Sequence, residues 1–340
     1  MSRELQSAPA RVREWHDVSF DLFETEILPR DEPALLRGVV AHWPAVAAAR
    51  ESSEAIRSYL SRLDRGARVR TFVGEPDMRG RFFYKPRFDG FNFGVADAAF
   101  SQLLAILADN GEARHVYMGS TPTDEILPGF ASENPLELVS DKPTGPRIWI
   151  GNASVIAPHF DESDNIACVV SGRRRFTLFP PDQVANLYPG PIDTTVAGQP
   201  TSLVELAHPD FERFPRFRDA LEHALIADLE PGDAIYIPAL WWHGVAASEG
   251  LNILVNYWWQ DTPADAGSPM NALGAALLSV ALLPERKRLA WRSMFDHFVF
   301  RLNGDPTAHI PEQAHGILGR STPQLRRMMR EFLSRELRGK

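Results

Sequence analysis

The chain has 340 residues and a formal net charge of −8, with 44% hydrophobic and 24% charged residues, a balance typical of folded globular proteins rather than disordered chains or coiled coils. The acidic balance argues against a nucleic acid or anionic membrane partner, and no apolar run approaches the ~20 residues that span a bilayer. The N-terminal segment lacks the apolar stretch of a signal peptide and the single cysteine excludes an intrachain disulfide, so we expect a cytoplasmic protein.

The first part of the chain, residues 1–113, is predicted to be an α/β extension of a larger core. Residues 33–45 indicate a short buried strand that runs into a turn at residues 43–44. Residues 95–110 have the spacing of an amphipathic helix, with Gly111 just past its end.

The middle of the chain, residues 114–262, changes to short runs of β-branched and aromatic residues punctuated by Pro and Gly. This texture predicts an all-β sandwich or barrel, interrupted by one helical stretch at roughly 215–226. Helical periodicity returns over residues 263–340, within which we predict three helices: 269–283, 284–302 and 321–337.

A metal site in this chain must use His and carboxylate ligands, because paired thiolates are absent. The triplet His-x-Asp occurs twice. The copy at His208 and Asp210 leads into a polar segment containing proline, where the aspartate is better interpreted as a turn or cap residue. The copy at His159 and Asp161 joins two strand-like runs, and alternate residues of an extended chain share one face.

A third ligand is available downstream at His243, near the end of an apolar segment that a Pro-Gly-Asp turn at 231–233 opens. Two His and one carboxylate with open positions form the facial triad of non-haem Fe(II) oxygenases. The residues alone leave a second interpretation open, in which His243 is a packed, hydrogen-bonded barrel histidine.

Two further polar residues share faces with apolar ones. In an extended strand, Arg174 would lie on the same face as Phe176 and Leu178. Asn256 would likewise share a face with Leu254 and Trp258. An inward arginine is costly unless it meets an anion, which suggests a dicarboxylate cosubstrate. The alternative is that Arg174 reaches the rim and Asn256 bonds the backbone.

Several motifs together resemble the cupin-like JmjC oxygenases, and their pattern is most similar to the asparaginyl hydroxylase that inhibits hypoxia-inducible factor. The resemblance is dense over residues 114–260 and is carried by HFDESDNIACVVSGRRRFTLFPPDQVANLYPGP, HPDFERFPRF, PGDAIYIPALWWH and VNYWW. It implies a double-stranded β-helix, Fe(II), and hydroxylation coupled to 2-oxoglutarate.

The resemblance also implies residue roles. It assigns the iron to His159, Asp161 and His243. It assigns the cosubstrate pocket to Tyr117, which would bond the distal carboxylate, and to Asn165, Arg174, Asn256 and Trp258.

Three departures from the family pattern concern the cosubstrate and the substrate. Arg174 stands where close relatives carry Lys, and Ile156 stands where they carry a hydroxyl residue, with Ser154 as a possible substitute. The polar pair that grips peptide substrate maps ambiguously near residues 199–201, so the substrate is not inherited.

We therefore predict a mainly β, JmjC-type double-stranded β-helix with N-terminal α/β decoration and C-terminal helices. The predicted function is an Fe(II)- and 2-oxoglutarate-dependent oxygenase that hydroxylates a protein or peptide side chain. The alternatives are N-methyl demethylation, a cupin-fold binding or regulatory protein, and a cupin enzyme that does not use 2-oxoglutarate. An apolar stripe at helical spacing over 269–283 predicts a homodimer through the C-terminal helices.

Overall fold

The computed structural model describes residues 9–108, 114–196, 198–247 and 250–337. The chain divides into two compact units, one that extends to Trp259 and one that begins at Gln260. Within these ranges no helix is both long and apolar enough to cross a membrane. The predicted Gly111 helix end lies outside the described residues.

The first unit contains all the strands that the structure describes, and they are short. In chain order they are β1 (Ala10–Arg11), β2 (Arg13–Trp15), β3 (Ala34–Leu36), β4 (Arg68–Gly74), β5 (Phe93–Ala99), β6 (His115–Pro122), β7 (Arg147–Gly151), β8 (Ser154–His159), β9 (Asp164–Ser171), β10 (Arg174–Phe179), β11 (Leu225–Leu229), β12 (Ala234–Ile237), β13 (Trp242–Ala247) and β14 (Asn252–Trp259).

The helices lie at both ends of the chain and in the connections. They are α1 (Phe20–Leu22), α2 (Pro44–Glu51), α3 (Ser53–Leu63), α4 (Phe100–Ile106), α5 (Thr123–Ile126), α6 (Phe130–Glu133), α7 (Phe217–Glu222), α8 (Pro269–Ser279), α9 (Glu285–Phe298) and α10 (Pro323–Leu337). A π-helical turn at Phe23–Ile27 follows α1. Short 3-10 turns lie at Leu28–Arg30, Pro76–Met78, Glu137–Val139, Pro181–Ala185, Val280–Leu282, Glu312–Ala314 and Gly316–Leu318.

Two mostly antiparallel sheets form the core of the first unit. One has the order β1-β11-β10-β13-β8 and the other the order β2-β3-β12-β9-β14-β7-β6-β4-β5. Alternate residues of the larger sheet enter two separate cores. Ile166 and Val255 pack on the side that holds the α2 and α3 residues. Ala167 and Leu254 face the interior, where Phe176 of the smaller sheet meets them. This is the predicted mainly β, cupin-type fold.

The Pro-Gly-Asp turn at 231–233 is confirmed, since the amide of Asp233 donates to the carbonyl of Glu230 at 3.0 Å. Gly232 has φ +104, and a Cβ there would lie 2.6 Å from a guanidinium nitrogen of Arg50. The positive φ requires glycine, whereas the Arg50 side chain could shift, and the turn leads directly into β12.

Two local predictions are wrong. The segment 95–110 is not one helix, because Val95–Ala99 completes edge strand β5 against β4 and only Phe100–Ile106 is helical. Residues 43–44 do not end in a turn. Trp43 is instead the N-cap of α2, with Pro44 at its first helical position, where a missing amide costs nothing.

Candidate metal centre and cosubstrate pocket

His159, Asp161 and His243 come together at one end of the interior. His159 is the last residue of β8 and pairs with His243 of β13, so their rings lie 4.4 Å apart. Asp161 lies just beyond β8, in the loop to β9. One ligand atom from each residue lies within 4.8 Å of the others. In the described ranges this is the one cluster of His, Cys, Asp or Glu with such geometry.

Both imidazoles are oriented by their own backbone. Nδ1 of His159 lies 3.0 Å from the carbonyl oxygen of Ala157, and Nδ1 of His243 lies 3.0 Å from that of Trp241. A carbonyl only accepts, so each Nδ1 donates, which leaves each Nε2 as the ring nitrogen available to a metal. Burial, with a smaller contribution from His159, lowers the pKa of His243 to about 4. His243 is therefore neutral near pH 7, the state that binds a metal.

The Asp161 carboxylate is held by a chain of hydrogen bonds. Its Oδ2 accepts from Nε1 of Trp258 at 2.9 Å and from Nδ2 of Asn165 at 3.2 Å. Asn165 Oδ1 in turn accepts from Nδ2 of Asn256 at 2.7 Å. Outer hydrogen bonds of this kind orient metal-binding carboxylates. Both asparagines are buried, so their side-chain amides position Asp161 instead of forming hydrogen bonds with solvent.

These residues fit a divalent transition metal. Two imidazole nitrogens and one carboxylate oxygen within 4.8 Å of one another are the donor set of non-haem Fe(II) sites. The site lies where β8 ends and where β9 and β13 begin, next to the apolar core between the two sheets.

Arg174 faces the same interior, four residues along the strands from His243, because its register partner on β13 is Ala247. Its side chain is 3% exposed, and its Nε and Nη2 have no hydrogen-bond partner. The guanidinium bonds the Tyr117 hydroxyl, and burial lowers the pKa of Arg174 while it raises that of Tyr117 to about 12. Tyr117 thus remains a neutral phenol that accepts from Arg174 and keeps its own proton to donate. A buried guanidinium with two nitrogen atoms free to donate can bind the carboxylate of a ligand.

A row of aromatic side chains lies between the metal centre and the pair of Arg174 and Tyr117. Two of its members, Trp149 and Phe82, were not predicted from the sequence. Trp149 stacks on Tyr117 at 5.8 Å and meets Trp258 edge-on at 6.1 Å. Phe82 lies 5.6 Å from Tyr117 on the other side. The alternation of RIWIG in β7 places Trp149 opposite the buried isoleucines, a signal that was available in the sequence.

The structure also places the residues at which the sequence departs from the family pattern. Ser154 and Arg174 are both register partners of Ala247, so the serine lies in the same row as the arginine. Ile156 packs against the interior core. Gln199 donates to Glu162 at 3.0 Å. Asp210, of the second His-x-Asp triplet, accepts from two backbone amides of its own turn, which confirms its interpretation as a turn residue.

Comparison with known proteins finds a matching family and several related proteins. A protein-family model described as a cupin-like domain matches residues 20–265. The Arabidopsis thaliana protein named lysine-specific demethylase JMJ31 is 37% identical over 113 residues, which cover 33% of this chain and 20% of that protein. Jumonji C domain-containing protein 5 of Drosophila melanogaster is 27% identical over 254 residues, which cover 71% of this chain and 58% of that protein.

A third relative carries a different kind of name. The Gallus gallus protein named tRNA wybutosine-synthesizing protein 5 is 33% identical over 116 residues, which cover 34% of this chain and 33% of that protein. The chain thus spans between 20% and 58% of the length of these three relatives.

Proposed function

Because this chain belongs to the cupin-like domain family, whose JmjC enzymes use Fe(II) and 2-oxoglutarate, we propose that it is a 2-oxoglutarate-dependent oxygenase. We further propose that it hydroxylates a protein or peptide side chain. The observation that carries the proposal is the pairing of the His159, Asp161 and His243 cluster with a buried arginine, Arg174, whose guanidinium is half unsatisfied. A purely structural metal would not require a buried arginine, and burying that charge without a partner lowers stability.

In this proposal each residue has a defined task. His159, Asp161 and His243 hold the iron. Arg174 and Tyr117 hold the distal carboxylate of 2-oxoglutarate by charge-assisted hydrogen bonds. When bound, the iron and 2-oxoglutarate supply oxidative decarboxylation to succinate and carbon dioxide, with transfer of one oxygen atom to substrate.

The surrounding residues orient these groups and exclude water. Asn256 and Asn165 keep the Asp161 carboxylate turned toward the two imidazoles. Trp258 does the same through its indole N–H, while its ring and that of Trp149 cover the pocket with apolar surface. Excluding water strengthens the electrostatic contacts inside the pocket.

Succinate formation from 2-oxoglutarate, measured without added substrate, tests the proposal. Wild-type protein with Fe(II) is expected to form succinate, whereas Asp161→Ala is expected to form none. Anaerobic titration of 2-oxoglutarate into the Fe(II) protein provides a second readout in visible absorption. A wild-type protein that binds iron but neither binds nor consumes 2-oxoglutarate would favour the binding or regulatory alternative.

N-methyl demethylation is the second candidate function. It is supported by relatives named lysine-specific demethylases, including lysine-specific demethylase 8 of Xenopus tropicalis at 27% identity over 256 residues. The two reactions use the same iron site and differ in product. Mass spectrometry of a modified polypeptide distinguishes them, because hydroxylation adds one oxygen whereas demethylation removes a methyl group.

We also propose a homodimer formed by the C-terminal unit. Helix α8 and the 3-10 turn after it expose several leucines, with Leu278 64% and Leu282 77% exposed. Several large apolar side chains exposed on one short segment favour an interaction site there. Light scattering should give twice the 38.0 kDa chain mass, and a Leu278→Glu, Leu282→Glu variant should shift it to one chain mass. A wild-type monomer at micromolar concentration would remove the proposal.

A cytoplasmic location is the proposal for the compartment. It rests on Cys168, the one cysteine of the chain, which is buried and unpaired. Proteins of oxidising compartments more often carry disulfides, and cell fractionation would test the assignment.

A further inference from the structure

A basic depression lies on the larger sheet, whose strands β9 and β14 carry Asn165, Asn256 and Trp258 beside the metal centre. It is open and has a volume of about 500 Å³. Three arginines line it, from strands β4 and β7, together with polar residues that follow Gly119 on β6. The members used below are Arg68, Arg70, Ser120, Thr121, Glu125 and Arg147.

The three arginines lie on the same face of the sheet as the pocket aromatics. In β4, Val69 packs into the outer core, so Arg68 and Arg70 point to the opposite face. In β7, Ile148 packs into the outer core and Arg147 shares the face of Trp149.

Register then places the depression beside the metal centre. Arg147 is the cross-strand partner of Asn256, which begins the hydrogen-bond chain to Asp161. The guanidinium of Arg70 lies 6.0 Å from the ring of Phe72, and Phe72 is the register partner of Tyr117. The basic surface and the cosubstrate pocket are therefore neighbours on one continuous face.

The guanidinium groups of these arginines have more N–H donors than the hydrogen bonds they form within the chain. Arg147 donates from Nε to Ser120 Oγ at 2.5 Å and from Nη2 to the Ser120 carbonyl at 3.2 Å, which fixes its plane. Arg68 donates from Nη2 to the carbonyl of Asp97 at 3.0 Å. An arginine has five N–H donors, and in the described part of the chain no carboxylate forms an ion pair with these three arginines. Glu125 lines the same depression and Asp97 is the cross-strand partner of Arg70, so the three arginines exceed these two carboxylates by one positive charge.

We propose that this depression selects the substrate by binding acidic side chains of a polypeptide. The proposal rests on the proposed function and names the substrate class of the same site. Adjacent strands are ~4.8 Å apart, and β4 is three strands from β14, so Arg70 lies roughly 14 Å across the sheet from Trp258. An extended peptide spans ~3.3 Å per residue. An acidic residue bound at Arg70 therefore lies at least about four positions from the residue that reacts.

An acidic polypeptide fits better than a nucleic acid. The whole chain carries a formal charge of −8, which repels a long polyanion, whereas a local cluster of three arginines attracts a short acidic segment. Planar guanidinium groups also match carboxylates in a bidentate geometry.

The test is a binding measurement on iron-free, full-length protein. Fluorescence anisotropy with a labelled decaglutamate peptide, at moderate salt, should show binding that a decaglutamine peptide lacks. Arg70→Gln and Arg147→Gln should each weaken binding about two- to fivefold, the upper part of the range for exposed charge pairs. Arg70→Lys should retain most of the affinity because it keeps the charge.

Arg65→Gln provides the matched control, since it removes the same charge from an exposed position outside the depression. Equal weakening by Arg65→Gln and Arg70→Gln would overturn the inference, as would tighter binding of a uridine decamer than of decaglutamate. Wild-type succinate formation without substrate tests the proposed function separately. A protein that consumes 2-oxoglutarate but ignores decaglutamate refutes only this inference.

Discussion

Replacing Arg174 by Ala should weaken 2-oxoglutarate binding by at least about a hundredfold. Arg174 is 3% exposed, its guanidinium bonds Tyr117, and its Nε and Nη2 have no hydrogen-bond partner. Removing one member of a buried charge pair typically costs ~3–5 kcal/mol, and every ~1.4 kcal/mol is a factor of ten in affinity. The expected range is therefore about two to three and a half decades.

Isothermal titration calorimetry of anaerobic, Fe(II)-loaded protein measures this change, with iron content determined in parallel. Iron binding should be little altered, because Arg174 belongs to a different part of the pocket from the three ligands. Arg174→Lys should recover part of the affinity, since ammonium keeps the charge but loses the bidentate fork.

Arg175 is the matched control for this substitution. It is the next residue of β10, its side chain is 57% exposed, and its Nε donates to Asp228 at 2.6 Å. Arg175→Ala should leave the affinity for 2-oxoglutarate unchanged. A tenfold or smaller loss in Arg174→Ala would refute the reasoning and would mean that the carboxylate is held elsewhere or that 2-oxoglutarate is not used.

The same buried charge predicts a stability effect in the ligand-free protein. Arg174→Met replaces an under-satisfied buried cation by an apolar chain of similar length, which removes the desolvation cost of the charge, so the free energy of unfolding should stay the same or rise. Urea unfolding of both proteins without 2-oxoglutarate measures the difference. A destabilisation of several kcal/mol would show that the guanidinium is better satisfied than its geometry indicates.

Three other predictions concern separate parts of the chain. His159→Ala should abolish stoichiometric iron binding by elemental analysis while His208→Ala should not, and the reverse result would mean that the wrong His-x-Asp triplet was chosen. Burial raises the pKa of the Cys168 thiol. A thiol reagent such as Ellman's reagent should therefore react with Cys168 only after unfolding. Rapid reaction with the folded protein would contradict the burial of this residue. Asp233→Ala removes an ion pair to Arg37 at 2.7 Å and a bond from the Gly38 amide at 2.9 Å, and should lower the free energy of unfolding by ~2–4 kcal/mol. A loss below ~1 kcal/mol in urea titration would mean that water replaces these bonds.

Several features of the first unit could be predicted from residues that are close in sequence. The parity of RRRFTLF indicates that Arg174 shares a face with Phe176, and a strand allows no other arrangement once one face is buried. The turn at 231–233 follows from glycine, which tolerates the positive φ that the turn requires. The polar context of His208 likewise separates it from the triplet at His159.

Other features depend on contacts between distant segments. His243 meets His159 only because β13 pairs with β8, and the periodicity of β13 by itself does not specify its neighbour. Residues 95–99 read locally as helix, yet they add an edge to β4 through a run of register pairs, because helix propensity is weak beside strand pairing. The arginine depression depends in the same way on β4 and β7 lying two strands apart with matching faces. Alternation along one strand determines which side chains share a face, but the order of strands in the sheet decides which faces meet.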